Sequence, residues 1–171
     1  MGSGGRHGDP KGPPDPDASA YEGALRLIAH RDRTVHEVRT RLAEKGHAAG
    51  AVEAAVARLK RIGYLDDAAY CERYITEILT SRPAGRRVIT ARLRLRGAHP
   101  EVIRAALGRA YPEGADEEMA YRVAAKRARR YRGEEPAACR RKLAGFLSRR
   151  GFDYDDVQKA LRRVLGEIED P

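Results

Sequence analysis

The 171 residues suffice for one domain with a real core or a short array of small modules, and a content of 42% hydrophobic and 35% charged residues excludes a disordered chain. No apolar run approaches the ~20 residues that cross a bilayer, and the start lacks the apolar stretch of a signal peptide; a cytoplasmic protein without membrane contact is expected. Thirty-four Lys and Arg against 25 Asp and Glu give a charge of +9, which favours a polyanionic partner because neutralised phosphates release counterions; the alternative is a solvated helical surface.

Residues 1–20 gather much of the Gly and Pro and read as a disordered tail, with the opening Met1 to Gly5 set aside as native or a cloning remnant. A first helix then places Tyr21, Ala24, Leu25 and Ile28 inward. Thr34-Val35-His36-Glu37 has the form of a capping box, in which the hydroxyl accepts from the third amide and the carboxylate reaches back. The helix it opens carries Val38 and Leu42 and stops at Gly46, a residue suited to a left-handed cap. Val52, Ala55, Val56 and Leu59 follow at i, i+3, i+4 and i+7, the stripe of another amphipathic helix ending near Gly63.

The pattern returns twice. Asp66 or Asp67 can cap a helix over Ala68–Leu79; Ile89 and Leu93 then precede Gly97, with Ile103, Ala106, Leu107 and Ala110 after it. His99 before Pro100 marks a helix start, since proline is tolerated at the first helical position. Asp116 can cap a helix over Glu117–Arg130; Leu143 and Leu147 precede Gly151, with Val157, Ala160, Leu161 and Val164 after it. Six apolar columns therefore hold in three copies aligned on Gly46, Gly97 and Gly151. Strand signals are nearly absent. The expected fold is all-α, about nine helices in three tandem three-helix repeats at 21–66, 67–111 and 112–171, stacked into an elongated array of either curvature; a compact bundle with accidental similarity is the alternative.

Specific elements carry a family resemblance. Ala24-Leu25-Arg26-Leu27-Ile28-Ala29 leads into the run Arg33 to Gly46; Leu59-Lys60-Arg61-Ile62-Gly63-Tyr64-Leu65-Asp66-Asp67 and Leu147-Ser148-Arg149-Arg150-Gly151-Phe152 come later. In order, spacing and residue type these resemble the RecX regulatory proteins over nearly everything after the tail. The second repeat departs from the common pattern, ending Arg94-Leu95-Arg96-Gly97 where lysine-glycine is usual. The resemblance implies a three-repeat, nine-helix protein that binds the RecA recombinase and its single-stranded DNA filament; a monomer is expected. It further implies restraint of strand exchange and ATP hydrolysis, by capping filament growth or lying in the filament groove. It implies no catalytic residues and no cofactor.

The residues themselves give no enzyme signature. There is no phosphate loop, no nucleophile elbow and no paired zinc histidines. His7, His30, His36, His47 and His99 are scattered, and Cys71 and Cys139 lack metal spacing and read as buried apolar residues. No metal is expected.

Arginine is more informative. Between Arg122 and Arg163 fourteen cations face five carboxylates, and Arg122, Lys126 and Arg129 fall at i, i+4 and i+7 on one helical face. The candidate residues for a partner or DNA are Arg86, Arg87, Arg92, Arg94 and Arg96 in the middle repeat. In the last repeat they are Arg122, Lys126, Arg127, Arg129, Arg130, Arg140, Arg141, Lys142, Arg149 and Arg150. Arginine bridges phosphates or pairs with carboxylates, so filament binding, stand-alone DNA binding and a structural adaptor all stay open. Tyr70, Tyr74, Tyr121 and Tyr131 could stack on bases or pack in the core. A helix-turn-helix reader ranks low, because the third helix of each repeat is apolar where bases would be read.

Overall fold

The computed structural model describes residues 16–112 and 114–169. Among these the secondary structure is helical throughout, in nine α-helices and one 3-10 turn. They are α1 Pro16–His30, α2 Val35–Glu44, α3 Ala49–Arg61, α4 Asp67–Ser81, α5 Arg86–Leu95, α6 Pro100–Ala110, α7 Ala115–Ala128, the turn Arg129–Tyr131, α8 Pro136–Arg149 and α9 Tyr154–Glu169. No helix among the described residues is long and apolar enough to cross a membrane.

Three helices form each repeat because local signals stop them at the same places. Thr34 Oγ1 accepts from Glu37 N and the Glu37 carboxylate accepts from Thr34 N, both at 3.1 Å, so the capping box is complete. Gly46, Gly97 and Gly151 stand at φ of 84°, 77° and 84°, the left-handed conformation that ends α2, α5 and α8 without a Cβ penalty. Asp66 caps α4 through Ala68 N and Ala69 N, and His99 precedes Pro100 as the cap of α6.

Each repeat has its own core. Val38, Leu42, Val52, Val56 and Leu59 cluster in the first, Ile89, Leu93, Ile103, Ala106 and Leu107 in the second, and Leu143, Leu147, Val157, Ala160, Leu161 and Val164 in the third. Every residue of the six apolar columns is buried except Ala110, which is half-buried; α6 ends there, and the buried Tyr111 that caps it fills the space instead. Burying one such Leu or Ile is worth about 1.5–3 kcal/mol, so the columns supply most of the driving force for each triplet.

Two expectations need correction. The tail does not run to Ala20: Pro16–Ala20 form the first turns of α1, because Ala20 is buried against Ala51 and Ala55 of α3. Residues 1–15 lie outside the described residues. Asp116 is not the cap of α7, whose N-cap is Gly114 at φ 74°. The Asp116 carboxylate is drawn away by tertiary partners, accepting from Arg86 Nε at 2.8 Å and from Tyr111 Oη at 2.7 Å.

The chain divides into two compact units, one ending at Leu65 and the other beginning at Asp66. The first holds one repeat. The second joins the other two.

Candidate nucleic-acid interface

The seam between the second and third repeats is backbone against backbone. Gly85 N donates to Arg150 O at 2.9 Å, and a Cβ added to Gly85 would lie 2.6 Å from Phe152 N and on top of the Gly151 carbonyl. Gly151 is equally crowded, since a Cβ there would meet Val88 N at 2.6 Å. Side chains tie the same joint. Arg150 Nη1 donates to Pro83 O at 3.0 Å, and Arg87 Nη2 to Ser148 O at 2.7 Å. Arg86 pairs with Asp116, donates to Tyr111 O and lies 4.4 Å above the Tyr111 ring. Burial and the bond to Asp116 push the Tyr111 hydroxyl up, well beyond the usual tyrosine range, so it stays protonated and keeps donating.

Beside this joint lies an open groove of ≈ 440 Å³. The end of α4 and the following loop give Thr80, Ser81, Arg82 and Pro83; α7 and its 3-10 turn give Arg122, Val123, Lys126, Arg127 and Arg130; α8 gives Phe146 and Arg150. Six cations and no carboxylate line it. Arg82, Arg122, Lys126 and Arg130 have no hydrogen-bond or ion-pair partner for their side chains among the described residues. The other two are held in place: Arg127 Nε donates to Tyr131 Oη at 3.1 Å, and the Arg127 and Arg150 guanidiniums lie 5.0 and 5.2 Å from the Phe146 ring. Cation–π interactions of this kind contribute about 0.5–1 kcal/mol at exposed sites, enough to fix a rotamer without consuming the donors.

The candidate arginines separate on this map. Arg122, Lys126, Arg127, Arg130 and Arg150 share the groove. Arg130 stands there at i, i+8 from Arg122, whereas Arg129, expected on that stripe, is the C-cap of α7 and does not line it. Arg86 and Arg87 serve the seam. Arg92 and Arg94 are exposed on α5, and Arg96 lies 4.7 Å over the Tyr74 ring. Arg140 donates to Gln158 at 2.6 Å and Lys142 pairs with Glu134 at 2.7 Å, while Arg141 and Arg149 are exposed on α8 outside the groove. Arg82 is absent from the candidates that the sequence suggests. It is forty residues from Arg122, and only the seam that holds the loop after α4 beside the third repeat makes them neighbours; its one local signal is the unopposed charge of the loop.

The four tyrosines all have partners within the fold. Tyr70 is buried and stacks on Tyr74 at 6.3 Å, and the Arg163 guanidinium lies 3.5 Å above Tyr121. Cys71 and Cys139 are buried free thiols, and burial pushes Cys71 up to about 11, so neither is a poised nucleophile. Among the described residues no group of three or more His, Cys, Asp or Glu could hold a metal.

A cationic groove of this kind can hold a phosphodiester backbone or a carboxylate-bearing surface. Three family models cover most of the described residues: the first, second and third three-helix domains of RecX match residues 20–59, 66–107 and 115–161. The regulatory protein RecX of Chlorobaculum tepidum is 32% identical over 150 residues, covering 88% of this chain and 91% of its own length. That of Trichlorobacter lovleyi is 34% identical over 150 residues, covering 85% and 96%. The crystal structure of RecX from Lactobacillus salivarius shares the fold, with a TM-score of 0.80 over 88% of this chain and 97% of that one at 23% identity.

Proposed function

Since the chain belongs to the RecX family of regulatory proteins, we propose that it binds the RecA recombinase and its single-stranded DNA filament in the cytoplasm, as a monomer, and restrains strand exchange and the coupled ATP hydrolysis. The observation that supports a DNA contact is the groove between the second and third repeats, lined by six cations and no carboxylate. Four of those cations have no internal partner among the described residues. Unpaired, clustered guanidiniums cost folding energy through mutual repulsion, and a polyphosphate backbone relieves it. Arg127 and Arg150, braced on Phe146, fix the spacing of the donors in advance, so little side-chain entropy is lost when a strand enters.

The groove reverses most cleanly at Arg122 and Lys126, which touch neither the seam nor a carboxylate. Arg150 is less suitable, because its side chain and carbonyl also hold the Pro83–Gly85 loop. Charge-assisted bonds are worth about 1.5–3 kcal/mol each, so Arg122→Glu with Lys126→Glu lowers affinity for bare single-stranded DNA by about a hundredfold or more, flattens the salt dependence, and leaves the helical spectrum intact. Wild-type protein below stoichiometry slows ATP turnover by the recombinase on single-stranded DNA. Unchanged turnover at molar excess rejects the regulatory reading. Tight, salt-dependent binding to bare strand with no response of the recombinase would favour the second reading, a stand-alone helical DNA-binding protein using the same groove.

A further inference from the structure

The outward end of helix α5 presents a surface that neither the seam nor the groove uses. From Glu77 to Glu101 the chain carries six arginines and no acidic residue between those two. The buried side of α5 is Ile89 and Leu93; the opposite side, at i, i+4, i+7 and i+8, is Arg87, Ala91, Arg94 and Leu95, with Arg92 beside it, all exposed. Arg87 at the near end is engaged in the seam, and the stretch beyond it is open. Leu95 is 85% exposed, more than any other large apolar side chain described. The Arg92 and Arg94 guanidiniums have no partner among the described residues.

An isolated exposed leucine is ordinary. The internal repeats show that this one is not required by the fold. Counted back from the glycines that end α2, α5 and α8, the position of Leu95 is Glu44 in the first repeat and Arg149 in the third. Both are exposed, and Glu44 is ion-paired to Arg41. The same backbone position is thus a charged, solvated site in two copies and a leucine flanked by unpaired arginines in the middle one. Charge alone would serve phosphate and would need no leucine; an apolar side chain inside a cationic rim is the arrangement of a protein interface, where an apolar anchor enters a pocket and the rim pairs with opposite charge.

We propose that the outer face of α5, centred on Leu95 and flanked by Arg92 and Arg94, is a docking surface for an acidic protein surface with a small apolar pocket, and that the recombinase supplies it. This rests on the reading that the chain binds the recombinase, and it divides the work: the groove takes the strand, and α5 takes the protein.

The test uses the full chain and two separate ligands, the recombinase (free and assembled on single-stranded DNA) and a bare single-stranded oligonucleotide. Leu95→Glu and Leu95→Arg borrow the residues that the first and third repeats carry at this position, so the helix tolerates them. Leu95→Glu lowers affinity for the recombinase by about tenfold or more, as loss of an interface anchor does, and changes oligonucleotide affinity by less than about twofold. Leu95→Arg keeps the positive charge of the face and loses the anchor, so it too weakens recombinase binding. Arg122→Glu with Lys126→Glu shows the opposite selectivity. If both Leu95 variants bind the recombinase like wild type, or lose the oligonucleotide in step with it, the α5 surface is overturned while the parent reading stands. If wild type fails to bind the recombinase in either form, the parent reading fails and this surface with it.

Discussion

The first repeat and the joined second and third repeats are built on the same apolar columns, yet they arrange their charge differently. In the first, Arg26, Arg31, Arg39 and Arg41 meet Glu22, Glu37, Glu53 and Glu44. In the second unit, Asp116 of α7 pairs with Arg86, and Glu117 and Glu118 pair with Lys159 and Arg163 of α9, leaving the groove side of α7 purely cationic. The first unit holds four of its arginines against carboxylates, and the second turns the acidic turn of α7 away from six cations that line one groove. A shared fold does not dictate a shared surface; six buried columns leave the remaining positions free to diverge.

The largest expected effect breaks the second unit alone. Gly85→Val drives a branched side chain into the Gly151 carbonyl, a backbone neighbour that cannot rotate aside. We expect a loss of about 3 kcal/mol, the upper end for overpacking, with hydrogen exchange accelerating in α5 and α8 while α2 amides keep their protection. Gly50→Ala is a contrasting change in the first unit, inside α3. A Cβ there meets nothing within 4 Å, so the variant is neutral or gains about 0.4–1 kcal/mol. Equal destabilisation by both would remove the distinction.

A smaller effect comes from Asp116→Ala, which leaves Arg86 Nε and the buried Tyr111 hydroxyl without their acceptor. Losing it costs about 1–3 kcal/mol by thermal or denaturant unfolding. Tyr111→Phe in the Asp116→Ala background should recover part of this, since it removes the orphaned donor. No recovery would mean that Arg86 alone carries the cost.

The smallest effect belongs to the first unit. Burial pushes the Glu37 carboxyl up, but hydrogen bonds from Arg31 and the Thr34 amide, with the charges of Arg31 and Arg33, outweigh it and hold Glu37 below the usual carboxylate range. A carboxylate lowered in the folded state stabilises fully above its unfolded value and loses that contribution as pH falls through the folded one. Glu37→Gln should therefore cost up to about 1 kcal/mol at pH 7, and the gap to wild type should close in acid. A gap that persists at low pH would assign the loss to packing rather than charge.

What the sequence makes legible is what a single helix decides for itself. The Thr34–Glu37 box, Asp66 ahead of α4, Pro100 after His99 and the three terminal glycines are local devices, and each is where its residues place it. Ala20 and Asp116 escape such rules because their roles are tertiary: a small residue under α3, and a carboxylate taken by an arginine thirty positions away. Glu135 before Pro136, which caps α8 through Ala137 N and Ala138 N, carries a local signal of the same kind as Asp66, although glutamate is a less usual residue for the task. The arginines can be picked out from sequence only as a group. Their division into groove, seam, ring-stacked and outward sets depends on which helix lies beside them, information that charge counting does not contain.

Gly151 both ends a helix and receives the neighbouring chain, and this makes the modules non-interchangeable. At the position of Gly85 the first repeat carries Thr34, whose hydroxyl the α2 cap requires. A hybrid that set α2 in place of α5 against the third repeat would push the threonine Cβ into the Gly151 carbonyl, where even a methyl group has no room. The last module therefore accepts only one plug: it can be preceded by a module that opens its second helix with glycine and by no other. A copy of the first module is barred at this joint, whose order is written into one pair of residues without side chains.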